Sequence, residues 1–413
     1  MRFYCIVLGA GLCVPQTVQA AEWATSASIN QYFSYNDNVR MLKKKQGSFI
    51  YGLTPVLNAR YTTPNSEIAA SASYGIQRYA AIPEFNQDNQ NYSLSGNYQT
   101  ERMTYTLETS YSKTPVRNFA DETGINNTAA DAIRWSVDPA VTYRIAPKDN
   151  LNIQASYSEQ IYSTNEIADN RFANNQNALI DLGWTRQWSE RYMGGVSLIY
   201  YRYQSDPSLL LGITNNIVSN SYGINFLSNY LISDKWQINI SLGYRYTDTK
   251  NNISVDEAPG EPINEALHGF ITDSSLSYKG EVLSVSVNIS QTLLPSGLGQ
   301  LNQQSGVGVE FSYQLTERLS TMFSANYVYR KPISGLRRLA GSERQNITVT
   351  PSINYQITPD WIVSASYSYR YQNRSLNQDL IFEQEQNFQG FVADSNTVML
   401  TLRYNWSGLS LSR

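Results

Sequence analysis

Side chains in this chain alternate with a period of two. In QTERMTYTLETSYSK (residues 99–113) the set Met103, Tyr105, Leu107, Thr109 and Tyr111 opposes Thr104, Thr106, Glu108, Ser110 and Ser112. A close relative of this stretch returns as QLTERLSTMFSANYVYRK (314–331). At 236–246 the set Trp236, Ile238, Ile240, Leu242, Tyr244 and Tyr246 opposes Gln237, Asn239, Ser241, Gly243 and Arg245. Leu283, Val285, Val287 and Ile289 oppose Ser284, Ser286, Asn288 and Ser290, and Ile347, Val349, Ile353, Tyr355 and Ile357 are set against Asn346, Thr348, Thr350, Ser352, Asn354 and Gln356. Successive side chains of an extended strand point to opposite faces, so each segment has one greasy and one hydroxyl-rich face.

The punctuation between segments falls into two classes. Short connections are TPNS (63–66), TER (100–102), APKD (146–149), SER (189–191), SDK (233–235), KGE (279–281), TER (316–318) and TPD (358–360), rich in turn-forming residues. Long polar connections of about 10 to 21 residues follow Tyr35, Lys113 and Gln372, among others. The classes alternate strictly, so eight short turns and nine long loops are read as joining eighteen strands.

A water-soluble sandwich also alternates. These strands are longer, about 10 to 14 residues against the usual five or six. Aromatic residues also sit near the ends of the apolar stripe: Trp236 with Tyr244 and Tyr246, Trp361 with Tyr369 and Tyr371, Trp184 with Trp188. Such girdles belong at the two faces of a bilayer. A free sheet edge in lipid leaves backbone groups unpaired, so the sheet must close. The expected fold is an all-β transmembrane antiparallel barrel of about 18 strands in an outer membrane, with lipid around it and both termini periplasmic.

The first twenty residues, MRFYCIVLGAGLCVPQTVQA, read as a secretory signal peptide: one Arg, an apolar stretch and Val18-Gln19-Ala20 before Ala21. Pro15 and Gln16 cut the apolar run short of a membrane span, and Leu12 before Cys13 argues against lipid-linked processing. The barrel is assigned to residues 21–413. Cys5 and Cys13 leave with the signal peptide, so neither a disulfide nor a thiolate metal site is expected. No later stretch has eighteen consecutive apolar residues. Without Arg2 the chain has 30 basic and 34 acidic residues, an acidic balance that gives no support for nucleic-acid binding.

TPVLNARY (54–61), DPAVTYRI (138–145) and TPSINYQI (350–357) place Pro55, Pro139 and Pro351 inside strands, where bulges are expected. His268, the one histidine, reads as a solvated loop residue at a strand start. With no nucleophile placed beside it, no Gly-rich phosphate loop and no pair of close His ligands, neither enzyme activity nor a cofactor or metal is expected.

Parity assigns the lumen. Glu108, Asp138, Asp181, Asp273 and Glu310 fall inward, about six residues from a short turn. Inward basic residues fall nearer the ends: Arg60, Arg144, Lys279 and Arg403 on the periplasmic side, Arg245, Arg330 and Arg370 on the outer side. Two readings stand side by side: an acidic waist between basic rings that sets ion preference, or cross-lumen salt bridges that stiffen the wall. The remaining wall of Ser, Thr, Asn, Gln, Gly and Tyr suits passage of sugars.

YNDNV (35–39) followed by SFIYGLTPVLNARY (48–61) resembles outer-membrane barrels of the porin type encoded in bacterial exopolysaccharide gene clusters, including those with exosortases. The resemblance implies an exopolysaccharide-export barrel that works with a periplasmic polysaccharide-export protein and conducts a polysaccharide chain. It supplies no catalytic residues. VMLTLRYNW ends at Trp406, an aromatic of the kind that closes a last strand, but SGLSLSR follows, so the end of that strand is open. Export, with gating by the loop 373–393, stands beside a general diffusion porin and a non-transporting structural barrel.

Overall fold

The computed structural model describes residues 21–116, 130–163, 172–210, 213–255, 258–259, 262–295, 301–333, 343–375 and 391–412. The proposed signal peptide and most of the loop 373–393 lie outside them. The strands are β1 (Glu22–Asn36), β2 (Ser48–Thr63), β3 (Ser66–Tyr79), β4 (Gln87–Gln99), β5 (Met103–Pro115), β6 (Asp131–Ala146) and β7 (Asp149–Ser163). Then come β8 (Asn175–Ser189), β9 (Tyr192–Ser205), β10 (Ser208–Leu210), β11 (Ile213–Leu231), β12 (Trp236–Val255), β13 (Ala258–Pro259) and β14 (Ile263–Lys279). The chain ends with β15 (Leu283–Pro295), β16 (Leu301–Gln314), β17 (Leu319–Pro332), β18 (Glu343–Gln356), β19 (Trp361–Ser375) and β20 (Phe391–Ser412). A short 3-10 turn, Pro83–Phe85, lies between β3 and β4.

Of these twenty strands β10 and β13 are stubs that pair with the ends of β11 and β12, leaving eighteen that form the wall. Every wall strand pairs antiparallel with its chain neighbours, β9 with β11 and β12 with β14 across the stubs. β1 pairs with β2 on one side and with β20 on the other, so the ring closes and leaves no edge. β1 begins and β20 ends at the short-turn end, as the even strand number requires.

The exposed and buried faces are the inverse of a soluble protein's. Large apolar side chains cover the outside, with Phe270 71% and Phe49 69% exposed. The buried set is dominated by Ser, Thr, Asn, Gln and Arg. So large an apolar exterior is stable only against lipid. Aromatic pairs mark the short-turn edge of this band: Trp23 with Tyr61, Trp236 with Tyr278 and Trp361 with Tyr404, at ring separations of 4.7, 4.9 and 4.8 Å. Phe33 with Tyr51, Tyr200 with Tyr222 and Tyr244 with Phe270 mark the other edge. From Trp23 to Phe33 the strand advances about 33 Å at ~3.3 Å per residue; a tilt near 40° turns that into a rise of ~25 Å, the height of the hydrocarbon band.

Two expectations need correction, and one left open is resolved. The prolines make no bulges. Around Pro55, Pro139 and Pro351 the register with the following strand is the same on both sides; two rungs simply lapse, because proline has no N–H to give. The register shifts sit instead at the short-turn end, at Thr25/Ala27, Arg144/Ala146 and Gln187/Ser189. The first is opposite Gly408, whose φ of +79° and close approach to the Thr25 carbonyl exclude a Cβ. The open end of the last strand is resolved: β20 runs past Trp406 to Ser412. Second, His268 is inside β14, on the outer face, its ring 5.1 Å from Tyr246 and 6.0 Å from Tyr244. It belongs to the aromatic band, because β14 begins five residues before it.

Candidate functional site: the lumen wall

The face opposite the apolar exterior lines the interior, and its character changes along the axis. At the short-turn end it is wet: Arg60, Arg144, Lys279 and Arg403 are exposed, as are Glu108, Asp273 and Glu310, while Asp138 and Asp181 are half-buried. At the long-loop end it is dry: Arg245 and Arg330 are buried and Arg370 is half-buried. Small hydroxyl and amide groups fill the spaces between, cross-linked in pairs such as Thr142 with Asn152 at 2.9 Å and Asn239 with Ser275 at 3.2 Å.

The five carboxylates do not form one cluster. Glu108 and Asp138 are directly opposite each other on β5 and β6. Ser136 Oγ donates to Asp138 Oδ2 at 2.9 Å, and Ser156 Oγ donates to its other oxygen. Ser197 Oγ donates to Asp181 Oδ2 at 3.3 Å. Asp273 is opposite Ser290, and Glu310 is flanked by Ser286 and Ser324. Among the described residues none of the five meets a cation; the lumen ion pair that does form, Arg60 with Glu67 at 3.3 Å, lies near the short turns. Arg403 Nε donates to Asn30 Oδ1 at 2.6 Å.

Three further arginines share the lumen side of the long-loop half. Arg344 on β18 is directly opposite Arg330 on β17 and Arg374 on β19, a row across three strands, and Arg134 on β6 donates to Gln160 at 2.7 Å. The sequence reading ended those strands at Asn346 and Gln372, so Arg344 and Arg374 fell outside it; Arg134 had the inward parity and was passed over. Arg330 is held by Gln304 Oε1 through both Nε and Nη2.

The wall itself departs from a simple cylinder between β14 and β15. Their ladder stops at Thr272↔Gln291, although β14 continues beside β12 to Ile263 and β15 continues beside β16 to the pair Pro295↔Leu301. Gln291 Nε2 donates to the Phe270 carbonyl at 2.7 Å, satisfying an acceptor where the ladder ends. Beyond it the β15–β16 end turns inward. Leu293 and Leu301 carry the parity that faces lipid lower down, yet they are 8% and 0% exposed and pack with Tyr203 and Ile217 from the lumen side of β9 and β11. Two further apolar clusters, Ile50–Tyr79–Ile82–Phe85 and Val116–Ala130–Ala132–Phe172, lie at the same end.

A ring of eighteen strands, apolar outside, polar inside and wet from one end, is a membrane-spanning β-barrel. No family model and no curated protein matches the sequence. Among solved structures the chain is similar to the outer-membrane protein opdK from Pseudomonas aeruginosa (12% identity, covering 95% of this chain and 99% of that one, TM-score 0.44). It is also similar to OccAB3 from Acinetobacter baumannii (11%, 94% and 99%, TM-score 0.43) and to the FrpB iron transporter from Neisseria meningitidis (9%, 93% and 81%, TM-score 0.48).

Proposed function

We propose that this barrel is an outer-membrane channel whose substrate is a hydrophilic saccharide polymer, an exopolysaccharide on its way out of the cell. The observation that carries the reading is the short-turn half of the lumen: a wet wall of serine, threonine and asparagine, with five carboxylates that no basic side chain neutralises among the described residues. Small hydroxyl and amide groups exchange hydrogen bonds with sugar hydroxyls one for one, and they offer no large surface on which a polymer would stall. In this reading a periplasmic polysaccharide-export protein delivers the chain to the short-turn end.

The test pairs two measurements. The purified protein in a planar bilayer is expected to conduct, and deletion of its gene is expected to abolish surface polysaccharide while synthesis inside the cell continues. Steady high conductance with intact surface polysaccharide and a nutrient-uptake defect would instead mark a diffusion porin. The burial of Arg245, Thr247, Thr249, Asn251 and Arg330 at the mouth favours a second reading, a closed structural barrel, which would not conduct.

A further inference from the structure

Arg245 is the one lumen arginine of the sequence reading that combines deep burial with no partner. It is 7% exposed, and among the described residues no carboxylate, carbonyl or hydroxyl accepts a hydrogen bond from its guanidinium. The nearby Tyr201 hydroxyl donates instead to Asn177 at 2.7 Å. A guanidinium stays charged under all ordinary conditions, and a buried charge is costly unless a counter-charge meets it.

The wall on either side of it lacks side chains. Arg245 on β12 is directly opposite Gly223 on β11 and Gly269 on β14. A Cβ at Gly269 would meet only Arg245 Nη2, at 3.5 Å, so the guanidinium lies over the bare backbone of β14. One row nearer the short turns stands Asn225, whose side-chain oxygen is buried without a hydrogen-bond donor. A forked cation flanked by two missing side chains, with an unsatisfied acceptor alongside, is a notch with both polarities represented.

We propose that this notch binds a carboxylate-bearing sugar: Arg245 takes the carboxylate through its parallel N–H groups, and Asn225 accepts from a neighbouring hydroxyl. The guanidinium fork matches a planar carboxylate bidentately, which a lysine would not do. The site rests on the channel reading for its route of access, and it refines that reading by making acidic sugar units the ones that pause at the mouth.

The experiment titrates galacturonate, galactose and inorganic sulfate into the folded barrel in detergent, by calorimetry, so that its outcome does not depend on conductance. Galacturonate is expected to bind saturably and galactose not to bind. Arg245→Gln should weaken binding by about tenfold to a hundredfold, the worth of a charge-assisted pair. Gly269→Val, which keeps the arginine and fills the notch, should do the same, while Arg245→Lys should lose most of the affinity despite its charge. Equal binding of galactose, non-saturating response to both anions from a merely hydrated arginine, or unchanged affinity in folded Arg245→Gln and Gly269→Val would overturn the proposal. Absence of conductance with galacturonate binding intact would strike the channel reading and leave the site standing.

Discussion

The backbone N–H of Asn396 donates to Asp37 Oδ1 at 2.7 Å, and the Asp37 N–H donates back to the Asn396 carbonyl at 3.0 Å, joining positions 359 apart in the chain. Asn396 Nδ2 adds a bond to Asp37 Oδ2 at 2.8 Å, Lys45 Nζ another at 3.0 Å, and Ser395 Oγ reaches Asn36 at 2.9 Å. The short segment YNDNV therefore fastens the first strand to the last at the long-loop end. Removing the carboxylate in Asp37→Ala should cost about 2 kcal/mol, the range for hydrogen bonds to a charged group. Lys45→Met should cost less, since that ammonium is exposed and its ion pairs are screened by solvent. The denaturation midpoint of the barrel in detergent measures both.

Acid should loosen the same fastening. Partial burial pushes the Asp37 carboxyl up, but the N–H groups of Asn396 and the Lys45 ammonium pull it down further, so it titrates below the usual aspartate range. A depressed folded value means the stabilisation is fully present above the unfolded value near 3.9 and is lost as pH falls through the folded one. The wild-type midpoint should drop below about pH 4, and the Asp37→Ala variant should lack that component of the drop.

The inward-turned end of β15–β16 is held by few apolar groups. Leu293→Ala with Leu301→Ala should release it, each truncation removing about 2–3 kcal/mol of buried packing. A larger single-channel conductance from a barrel that still folds is the expected result. An unchanged conductance would mean that this end does not limit the pore.

The carboxylates of the lumen are free to act on passing ions. In water a unit charge about 7 Å away changes an ion's energy by about 0.6 kcal/mol, a factor of about three in its occupancy. Asp181→Asn with Asp273→Asn should lower the cation preference by about that factor, read as a shift in reversal potential. No shift would assign the carboxylates to wall structure alone.

Pro351→Val should be neutral or stabilising by up to about 1 kcal/mol, since it restores an N–H where the ladder to β19 lapses without changing register. A loss of stability would mean that the lapse serves the wall.

Parity carried the sequence reading far, and its failures share one cause. Wherever a strand stays in the wall, as from Trp236 to Tyr246, period two separates the lipid face from the lumen face and places Glu108, Asp181 and Arg245 inward. Leu293 and Leu301 escaped because parity reports a face of the strand, not where the strand goes once it leaves the sheet. Arg344 and Arg374 escaped because strands continue above the bilayer, where apolar alternation no longer marks them. The absence, among the described residues, of a cation beside the five carboxylates and of an acceptor beside Arg245 depends on which strands are neighbours across the ring, which no local pattern records.

The meeting of β1 with β20 has a consequence for biogenesis. No growing or truncated version of this polypeptide possesses all its neighbours: each would expose two raw margins of backbone donors and acceptors, ready to recruit strangers. Completion is therefore a single event that waits on the last-made segment, and an interrupted synthesis yields a product for disposal rather than a smaller pore.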